Sequence, residues 1–383
     1  MRKKFLYALV ILLVIVALFA IMFRNELGEG PPVEEKSSEE PTEEEVTEGE
    51  EDTEQAEIEE ENGEDSDQEE TSEEEPSEEA AEKSEEDAVL SKFSHLPVEK
   101  KALHRAIMVS IENTPKARPQ SGICDAPIVY EFLVEGGITR FLALYRSNIP
   151  AQIGPIRSVR PYMIDIAREY DALLLHAGAS PDGFDLLEDI DYTNLDQIYN
   201  GKYYWRNQQK PNPHNLFTGE YRINEYLNDM LGVEYDNRFN FEDIMIISNA
   251  KTSAEEINIE YWGNYNVIYE YSQEENVYYR YLNDLDTPHN CENNEQITVK
   301  NIVVQFAETS VKDEEGRLAI ELEGNNKALY FRNGVVSEGY WEKEGQELTK
   351  FYNEKEQLIT VNPGNTWIQI VPTDTNITYK ESD

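Results

Sequence analysis

The chain has 383 residues, and its 78 aspartate and glutamate residues against 33 lysine and arginine residues give a formal net charge of −45. This charge argues against nucleic acid as a partner, because phosphate backbones are bound by clustered lysine and arginine side chains. The length suits one large domain or two ordinary ones, and the two cysteines are too few for a cysteine-rich zinc site.

Residues 1–24 are predicted to form an uncleaved signal anchor. Three basic residues precede an uncharged apolar run from Phe5 to Phe23, and Arg24 closes it. At about 1.5 Å per residue in a helix, a run of this length spans roughly the hydrocarbon core of a bilayer. A cleaved signal peptide is the alternative, although the run exceeds the usual apolar region and no clear A-x-A site follows it. We therefore expect a single-pass protein of the cell membrane, held through residues 5–23, with its C-terminal part extracellular.

Residues 25–88 are predicted to be a disordered acidic spacer. Between Glu26 and Asp87 the sequence has 32 acidic residues against Lys36 and Lys83, a net charge of −30. The few apolar residues follow neither a helical nor a strand period, so burial cannot offset the entropy of ordering the segment. Such a segment would hold a folded domain away from the membrane.

Residues 89–250 predict a mixed α/β domain. The runs Ile128–Val134 and Ile138–Tyr145 are rich in β-forming residues and flank Glu135-Gly136-Gly137, which predicts an antiparallel hairpin. The stretch "RPYMIDIAREY" has apolar residues at helical spacing after a proline, and "DALLLH" predicts a buried strand. Ser180, which precedes a proline and an aspartate, is a candidate N-cap of a second helix.

From residue 251 to residue 383 the pattern is almost entirely strand. Alternating runs include "VIYEYSQEENVYYRYL" and "TWIQIVP", and Asn333-Gly334 is a strong hairpin signal. The fold class predicted for the whole is an α+β or α/β layered sandwich. It combines a mixed N-terminal sheet, with helices on one side, and a β-rich, mostly antiparallel C-terminal part.

Several standard chemical signatures are absent from the sequence. No H-E-x-x-H and no G-x-x-x-x-G-K-[ST] motif occurs, so neither a zinc-protease site nor a phosphate-binding P-loop is predicted. We expect no metal and no cofactor. Cys124 and Cys291 lie far apart in the sequence, which leaves open whether they pair in an oxidising compartment.

The candidate site lies between Arg118 and Asn215. In "IGPIRSVRPYM", Arg157 and Arg160 lie three residues apart at a predicted helix start, where free backbone N–H groups add positive potential. We expect an anionic or carboxylate-bearing ligand there. The residues predicted to bind ligand are four arginines, two serines, two histidines and an asparagine: Arg118, Arg140, Arg157, Ser158, Arg160, His176, Ser180, His214 and Asn215.

Glu131 and Glu135 are weak candidates for catalysis. Four residues apart on one extended strand, they would point to the same face, and two such carboxylates can serve as acid and base in glycoside hydrolysis. The alternative is that they pair with nearby arginines, as charges at a sheet rim usually do. His176 is the third candidate, although the end of a buried strand also suits a structural histidine.

Long stretches of the sequence resemble the YerB-like family of bacterial envelope proteins. They include "RPQSGICDAPIVYEFLVEGGITRFLALY", "IGPIRSVRPYMIDIAREYDALLLHAGASP", "PHNLFTG" and "NPGNTWIQIVP", in the family's two-part order over nearly all of residues 95–375. The resemblance implies an α/β layered N-terminal part, a β-rich C-terminal part and an extracytoplasmic location in Gram-positive bacteria. It implies no established activity, because the family is a domain of unknown function. Family members are often lipoproteins, and this chain lacks a cysteine near the apolar run.

Two functions are compatible with these patterns. The first is a membrane-tethered, extracytoplasmic binding module of the Gram-positive cell envelope, which recognises an anionic or carboxylate ligand, such as a wall polymer, or a cell-wall-building protein. The second is an envelope hydrolase acting on glycan or peptide, with Glu131 and Glu135 as acid and base. A third interpretation gives the arginines a purely structural role that locks the sheet to a helix. The failure of every strong catalytic motif favours the binding module.

Overall fold

The computed structural model describes residues 88–99, 105–227, 235–236, 238–243, 252–262 and 265–380. The predicted signal anchor, and all of the predicted spacer except its last residue, lie outside these residues. Within the described residues, no helix combines the length and the apolar composition needed to cross a membrane. The span predicted at residues 5–23 lies outside the described residues and stays a prediction.

The described first half of the chain contains short helices among its strands. Its elements are β1 (Ala88–Leu90), β2 (Pro97–Glu99), β3 (Ile107–Glu112), β4 (Ile128–Leu133), β5 (Thr139–Tyr145), α1 (Pro161–Glu169), β6 (Leu173–His176), α2 (Pro181–Asp189), β7 (Asn194–Asp196), β8 (Trp205–Arg206), β9 (Leu216–Phe217), α3 (Glu220–Leu227) and β10 (Asn240–Phe241).

The described second half consists of strands. They are β11 (Thr252–Ser253), β12 (Glu256–Tyr261), β13 (Tyr265–Ser272), β14 (Val277–Leu282), β15 (Asp284–Pro288), β16 (Thr298–Val299), β17 (Asn301–Ala307), β18 (Thr309–Val311), β19 (Leu318–Ile320), β20 (Gly324–Arg332), β21 (Val335–Lys343), β22 (Lys350–Asn353), β23 (Thr360–Val361), β24 (Thr366–Pro372) and β25 (Ile377–Lys380).

The hairpin predicted around Glu135-Gly136-Gly137 is confirmed. β4 and β5 pair antiparallel, with Leu133 opposite Thr139. Gly136 and Gly137 have φ angles of +74° and +69°. These left-handed conformations favour glycine, because it has no Cβ to clash with the backbone.

The Asn333-Gly334 turn joins β20 to β21, as its sequence predicts. Gly334 has a φ of +68°, and a Cβ at this position would lie 2.7 Å from a ring carbon of Tyr271. The turn therefore requires glycine for space as well as for conformation.

The predicted helix after the arginine motif and the buried strand after it are confirmed as α1 and β6. Ser180 occupies the N-cap position of α2, as predicted. Its hydroxyl, however, donates to Asp182 Oδ1 at 2.5 Å, and it makes no side-chain hydrogen bond to the helix backbone.

Eleven strands form one mixed sheet. Its order is β11-β21-β20-β17-β24-β4-β5-β3-β6-β7, and β22 pairs with β21. β24 is parallel both to β17 and to β4, so a strand near the C-terminus joins the strands of the two halves. β3, β6 and β7 are parallel to one another, which places their carboxyl ends at one edge of the sheet.

A second sheet of six antiparallel strands packs on one face of this large sheet. Its order is β15-β14-β13-β12-β25, with β16 beside β14. Arg280 of β14 lies 4.8 Å from the ring centroid of Trp367 in β24 and 5.7 Å from that of Phe141 in β5. On the opposite face of β4, Phe132 contacts Tyr162 of α1, with ring centroids 5.4 Å apart. Both faces of the central strands are therefore covered.

The prediction of an α+β or α/β layered sandwich with helices on one side is wrong. The structure is mostly β, with several sheets and three α-helices in its described part, each of only eight or nine residues. The buried strands β4 and β24 need cover on both faces, and helices this short cannot cover eleven strands. The alternating strand β14, with every second residue buried, belongs to the sheet that covers the other face.

The sequence left open whether the two cysteines pair. In the structure, Cys124 and Cys291 form a disulfide, with their Cα atoms 6.4 Å apart. It connects the segment before β4 with the segment between β15 and β16. The predicted domain boundary between residues 250 and 251 falls within residues 244–251, which the structure does not describe, and stays a prediction.

Candidate anion site at the carboxyl edge of the parallel strands

The carboxyl ends of β3, β6 and β7 define one edge of the large sheet, which we call the carboxyl edge. Both α1 and α2 begin at this edge, after Arg160 and Ser180. The segment 153–159 runs along it, because Arg157 N–H donates to Ser110 O at 3.0 Å and Val159 N–H donates to Gly178 O at 3.0 Å. In open α/β sheets, ligands commonly bind outside the carboxyl ends of parallel strands.

Arg157 forms a bidentate ion pair with Glu112, the last residue of β3. Its Nε and Nη2 donate to the two carboxylate oxygens at 2.7 and 3.1 Å. His214 Nδ1 lies 2.8 Å from Glu112 Oε1 and 3.2 Å from Arg157 Nη2. Burial alone would raise the pKa of Glu112, but hydrogen bonds from Arg157 and Thr114 outweigh it and lower the pKa below its usual value. Glu112 is therefore a carboxylate at neutral pH.

Arg160 forms the second bidentate ion pair, with Glu135 in the β4–β5 turn. The two bonds measure 2.6 and 2.7 Å, and Arg160 Nη1 also donates to Ser158 Oγ at 3.1 Å. Burial opposes ionisation of Glu135, yet Arg160 lowers its pKa overall. Both arginines of the predicted motif thus have an internal carboxylate partner.

Arg140, at the start of β5, lies between these two ion pairs without a carboxylate of its own. It is 8% exposed, and its Nη1 donates to Ser158 O at 2.6 Å and, more weakly, to Ser158 Oγ at 3.4 Å. Across the described residues, no acidic side chain forms an ion pair with it. Burial, with the nearby charge of Arg160, lowers the pKa of Arg140 to about 10. It therefore remains charged at neutral pH and presents an excess positive charge.

Glu131 lies on the opposite face of the large sheet from Arg140 and is not accessible to solvent. Its side chain is completely buried and pairs with Arg280 Nη2 at 2.8 Å. It also accepts hydrogen bonds from Thr139 at 2.7 Å and from Tyr265 at 3.1 Å. Glu135 lies beyond the end of β4, so the structure does not place the two glutamates on one face of a strand or in one cleft.

Arg118 belongs to the buried network around Glu131. Its Nε and Nη2 donate to the side chain and backbone of Asn113 at 3.0 and 2.7 Å, and it stacks over Tyr265 at 5.6 Å. Gln120 donates to the same Asn113 side chain and contacts His289 Nε2 at 2.9 Å. Asn113 directly follows Glu112 of the anion site, so this buried network adjoins the site.

The remaining predicted residues lie near the carboxyl edge but have structural partners. His176 is completely buried, and its Nδ1 lies 2.9 Å from Gly178 O. Asn215 Oδ1 accepts a hydrogen bond from Arg206 at 2.9 Å. Of the predicted ligand-binding residues, the structure brings five together in one cluster: Arg140, Arg157, Ser158, Arg160 and His214.

Sequence reasoning missed Glu112, Asn113 and Arg280. Arg280 carried a signal, because it stands at a buried position of the alternating run "VYYRYL", where an arginine needs an internal anion. Glu112 ends β3 and Asn113 follows it, and neither residue carried a local signal. Among the described residues, no group of three or more histidine, cysteine, aspartate or glutamate side chains could hold a metal ion.

Comparisons with known proteins give matches to family models, to a relative and to a solved structure. Two family models match, the N-terminal domain of a protein of unknown function (DUF3048) over residues 94–233 and its C-terminal domain over residues 257–368. The chain is 34% identical over 276 residues to the "Putative lipoprotein YerB" of Bacillus subtilis (strain 168), which covers 70% of this chain and 81% of that protein. It is also similar to the crystal structure of YerB from Bacillus subtilis, with a TM-score of 0.67 and 28% identity, over 76% of this chain and 99% of that one.

Proposed function

Because the chain belongs to the DUF3048 family, whose two domains it carries in order, we propose that it is an extracytoplasmic envelope protein that binds an anionic ligand. Membership of this family confirms the resemblance to the YerB-like proteins. The relative's description as a lipoprotein supports the extracytoplasmic location. Cys124 and Cys291 are bonded to each other, so neither carries a lipid, and attachment to the membrane then rests on residues 5–23.

The observation that carries the ligand proposal is the excess charge of Arg140. A buried guanidinium without an anion is costly, and its neighbours Arg157 and Arg160 already use their own carboxylates. A carboxylate or phosphate placed against Arg140 and Ser158 would complete the pairing. The backbone N–H groups at the start of α1 add positive potential at the same place.

The test is the affinity of the full chain, purified in detergent, for tetra-D-glutamate and for a glycerol phosphate oligomer, measured by calorimetry. We expect Arg140→Gln to weaken binding of the preferred anion about tenfold or more, because it removes a charge-assisted hydrogen bond. The melting temperature should stay the same or rise, because the substitution removes an unpaired buried charge.

The matched control is Arg317→Gln, whose guanidinium pairs with Asp313 in a local, partly exposed ion pair. This variant should bind both anions as the wild type does. Wild-type protein that binds neither anion, or an Arg140→Gln variant that binds as the wild type does, would contradict the proposal. Capture of an envelope protein by the wild type, with no anion binding, would favour the protein partner instead.

The described residues offer no support for the hydrolase alternative. Glu131 is sealed between two sheets and bound to Arg280, and Glu135 is bound to Arg160. A general acid and base must reach one glycosidic bond together, and these two carboxylates do not share a cleft.

A further inference from the structure

The last residue of β7 and the short loop after it, residues 196–200, continue the carboxyl edge beyond the arginines. Asp196 Oδ1 accepts hydrogen bonds from Gly178 N–H at 2.8 Å and from Ile198 N–H at 3.0 Å. Asn200 N–H donates to Asp196 O at 2.8 Å, and Gln197 N–H donates to His176 O of β6 at 2.9 Å. The backbone of this loop is therefore held in place on both sides.

This loop exposes two large apolar side chains. Ile198 is 60% exposed and Tyr199 is 79% exposed, although their backbone is held by the hydrogen bonds just described. We call these two residues the Tyr199 shelf. Neighbouring large apolar side chains in full contact with water commonly mark a binding surface, and a tyrosine offers both a flat apolar face and a hydroxyl.

The Tyr199 shelf lies next to the anion site. Ile198 Cδ1 is 3.4 Å from the point where a Cβ on Gly178 would stand. Gly178 O in turn accepts the hydrogen bond from Val159 N–H, between Ser158 and Arg160. Gly178 therefore adjoins both the Tyr199 shelf and the segment that carries Arg157 and Arg160.

We propose that the ligand of this edge is an anionic glycan. This inference rests on the proposed function, because it assigns the anionic group of the same ligand to Arg140. The adjoining sugar ring packs its C–H face on the exposed ring of Tyr199. The anionic group and the apolar ring face of such a ligand thus each have a partner at this edge.

The experiment compares three probes on the full chain in detergent. The first is a tetrasaccharide of alternating N-acetylglucosamine and N-acetylmuramic acid, which carries carboxylates on sugar rings. The second is chitotetraose, which has similar rings without carboxylates, and the third is tetra-D-glutamate, which has carboxylates without sugar rings. Affinities are measured for the wild type, Tyr199→Ala, Arg140→Gln and the control Tyr221→Ala, whose side chain is 88% exposed on α3.

We expect the acidic tetrasaccharide to bind more tightly than either other probe. Tyr199→Ala should weaken its binding about three- to tenfold, the range of an aromatic contact, and should leave the binding of tetra-D-glutamate unchanged. Arg140→Gln should weaken both acidic probes, and Tyr221→Ala should change none.

Two outcomes overturn the inference while the proposed function stands. One is that tetra-D-glutamate binds as tightly as the acidic tetrasaccharide, with both dependent on Arg140. The other is that Tyr199→Ala leaves the affinity for the tetrasaccharide unchanged. If chitotetraose alone binds and Arg140→Gln has no effect, or if no probe binds, both the inference and the anion site fail.

Discussion

Glu131 and Arg280 form an ion pair between the two largest sheets, and neither side chain is exposed to water. Arg280 also donates to Tyr269 Oη at 2.6 Å and to His289 Nδ1 at 3.0 Å. Burial, together with the charge of Arg280, holds the pKa of His289 well below its usual value, so the imidazole stays neutral and its Nδ1 accepts. The desolvation of the pair is offset only while both charges are present.

At this scale we predict that Glu131→Gln lowers the free energy of unfolding by about 3–5 kcal/mol, because it leaves Arg280 buried without an anion. Urea denaturation measures the loss. Glu338→Gln is the matched control, since its partner is the half-exposed Lys327, and it should change stability by less than about 1 kcal/mol. Equal losses in the two variants would show that the buried pair has no special role.

The helix α1 is tied to the second half of the chain by its last residue, Glu169. The carboxylate pairs with Arg238 at 2.7 Å and with Lys343 of β21 at 2.9 Å, and it accepts the backbone N–H of Thr349 at 3.0 Å. Burial would raise the pKa of Glu169, but the charges of Arg238 and Lys343 outweigh it and lower the pKa. An element of the first half is thereby held by charges outside its own sequence neighbourhood.

This pKa shift predicts an acid dependence of stability. Because the pKa of Glu169 is lower in the folded state than its ordinary 4.5, its contribution is present above about pH 4.5 and is lost as the pH falls through the folded-state value. We expect the free energy of unfolding of the wild type to fall more steeply below about pH 4.5 than that of Glu169→Gln. Urea denaturation at a series of pH values measures both slopes.

The control lies on the same helix. Burial raises the pKa of Asp165, so its contribution has the opposite sign, and Asp165→Asn should make the acid-side fall steeper. Identical pH profiles for the wild type and Glu169→Gln would refute the assignment.

Over the whole molecule, a strand pairing and a covalent bond also join the parts that match the two family domains. One is the parallel pairing of β24 with β4, and the other is the disulfide between Cys124 and Cys291, 167 residues apart. Cys124 precedes β4, whereas Glu135 of the anion site follows it, so the disulfide and the site lie at opposite ends of that strand. We therefore expect that removing the disulfide changes the stability of the fold without changing its affinity for the ligand.

We predict that Cys124→Ser combined with Cys291→Ser lowers the free energy of unfolding by about 3–5 kcal/mol, because the bond closes a long loop in the unfolded chain. The affinity for the anion probes should stay within twofold of the wild type. Denaturation curves and calorimetry on the same preparation measure the two quantities. Lost affinity with unchanged stability would mean that the disulfide positions the site.

The candidate site was predictable in part. Arg157, Arg160 and His214 stood out because arginines beside a helix start, and a histidine in a proline-rich loop, are local features, and the structure does bring them together. Their carboxylate partners, and the isolation of Arg140 between two ion pairs, depend on which strands lie side by side.

The sequence by itself determined the hairpins, the helix α1, the strand β6 and the N-cap position of Ser180, and it identified the family. Those features depend on turn residues, periodicity and capping groups a few positions apart. Only the tertiary structure decided that β24 joins the two halves, that a second sheet rather than a layer of helices covers the large sheet, and that Glu131 is sealed against Arg280. The physical reason is that burial and charge pairing are satisfied between residues far apart in the chain, and local sequence patterns do not specify which of many possible partners will meet.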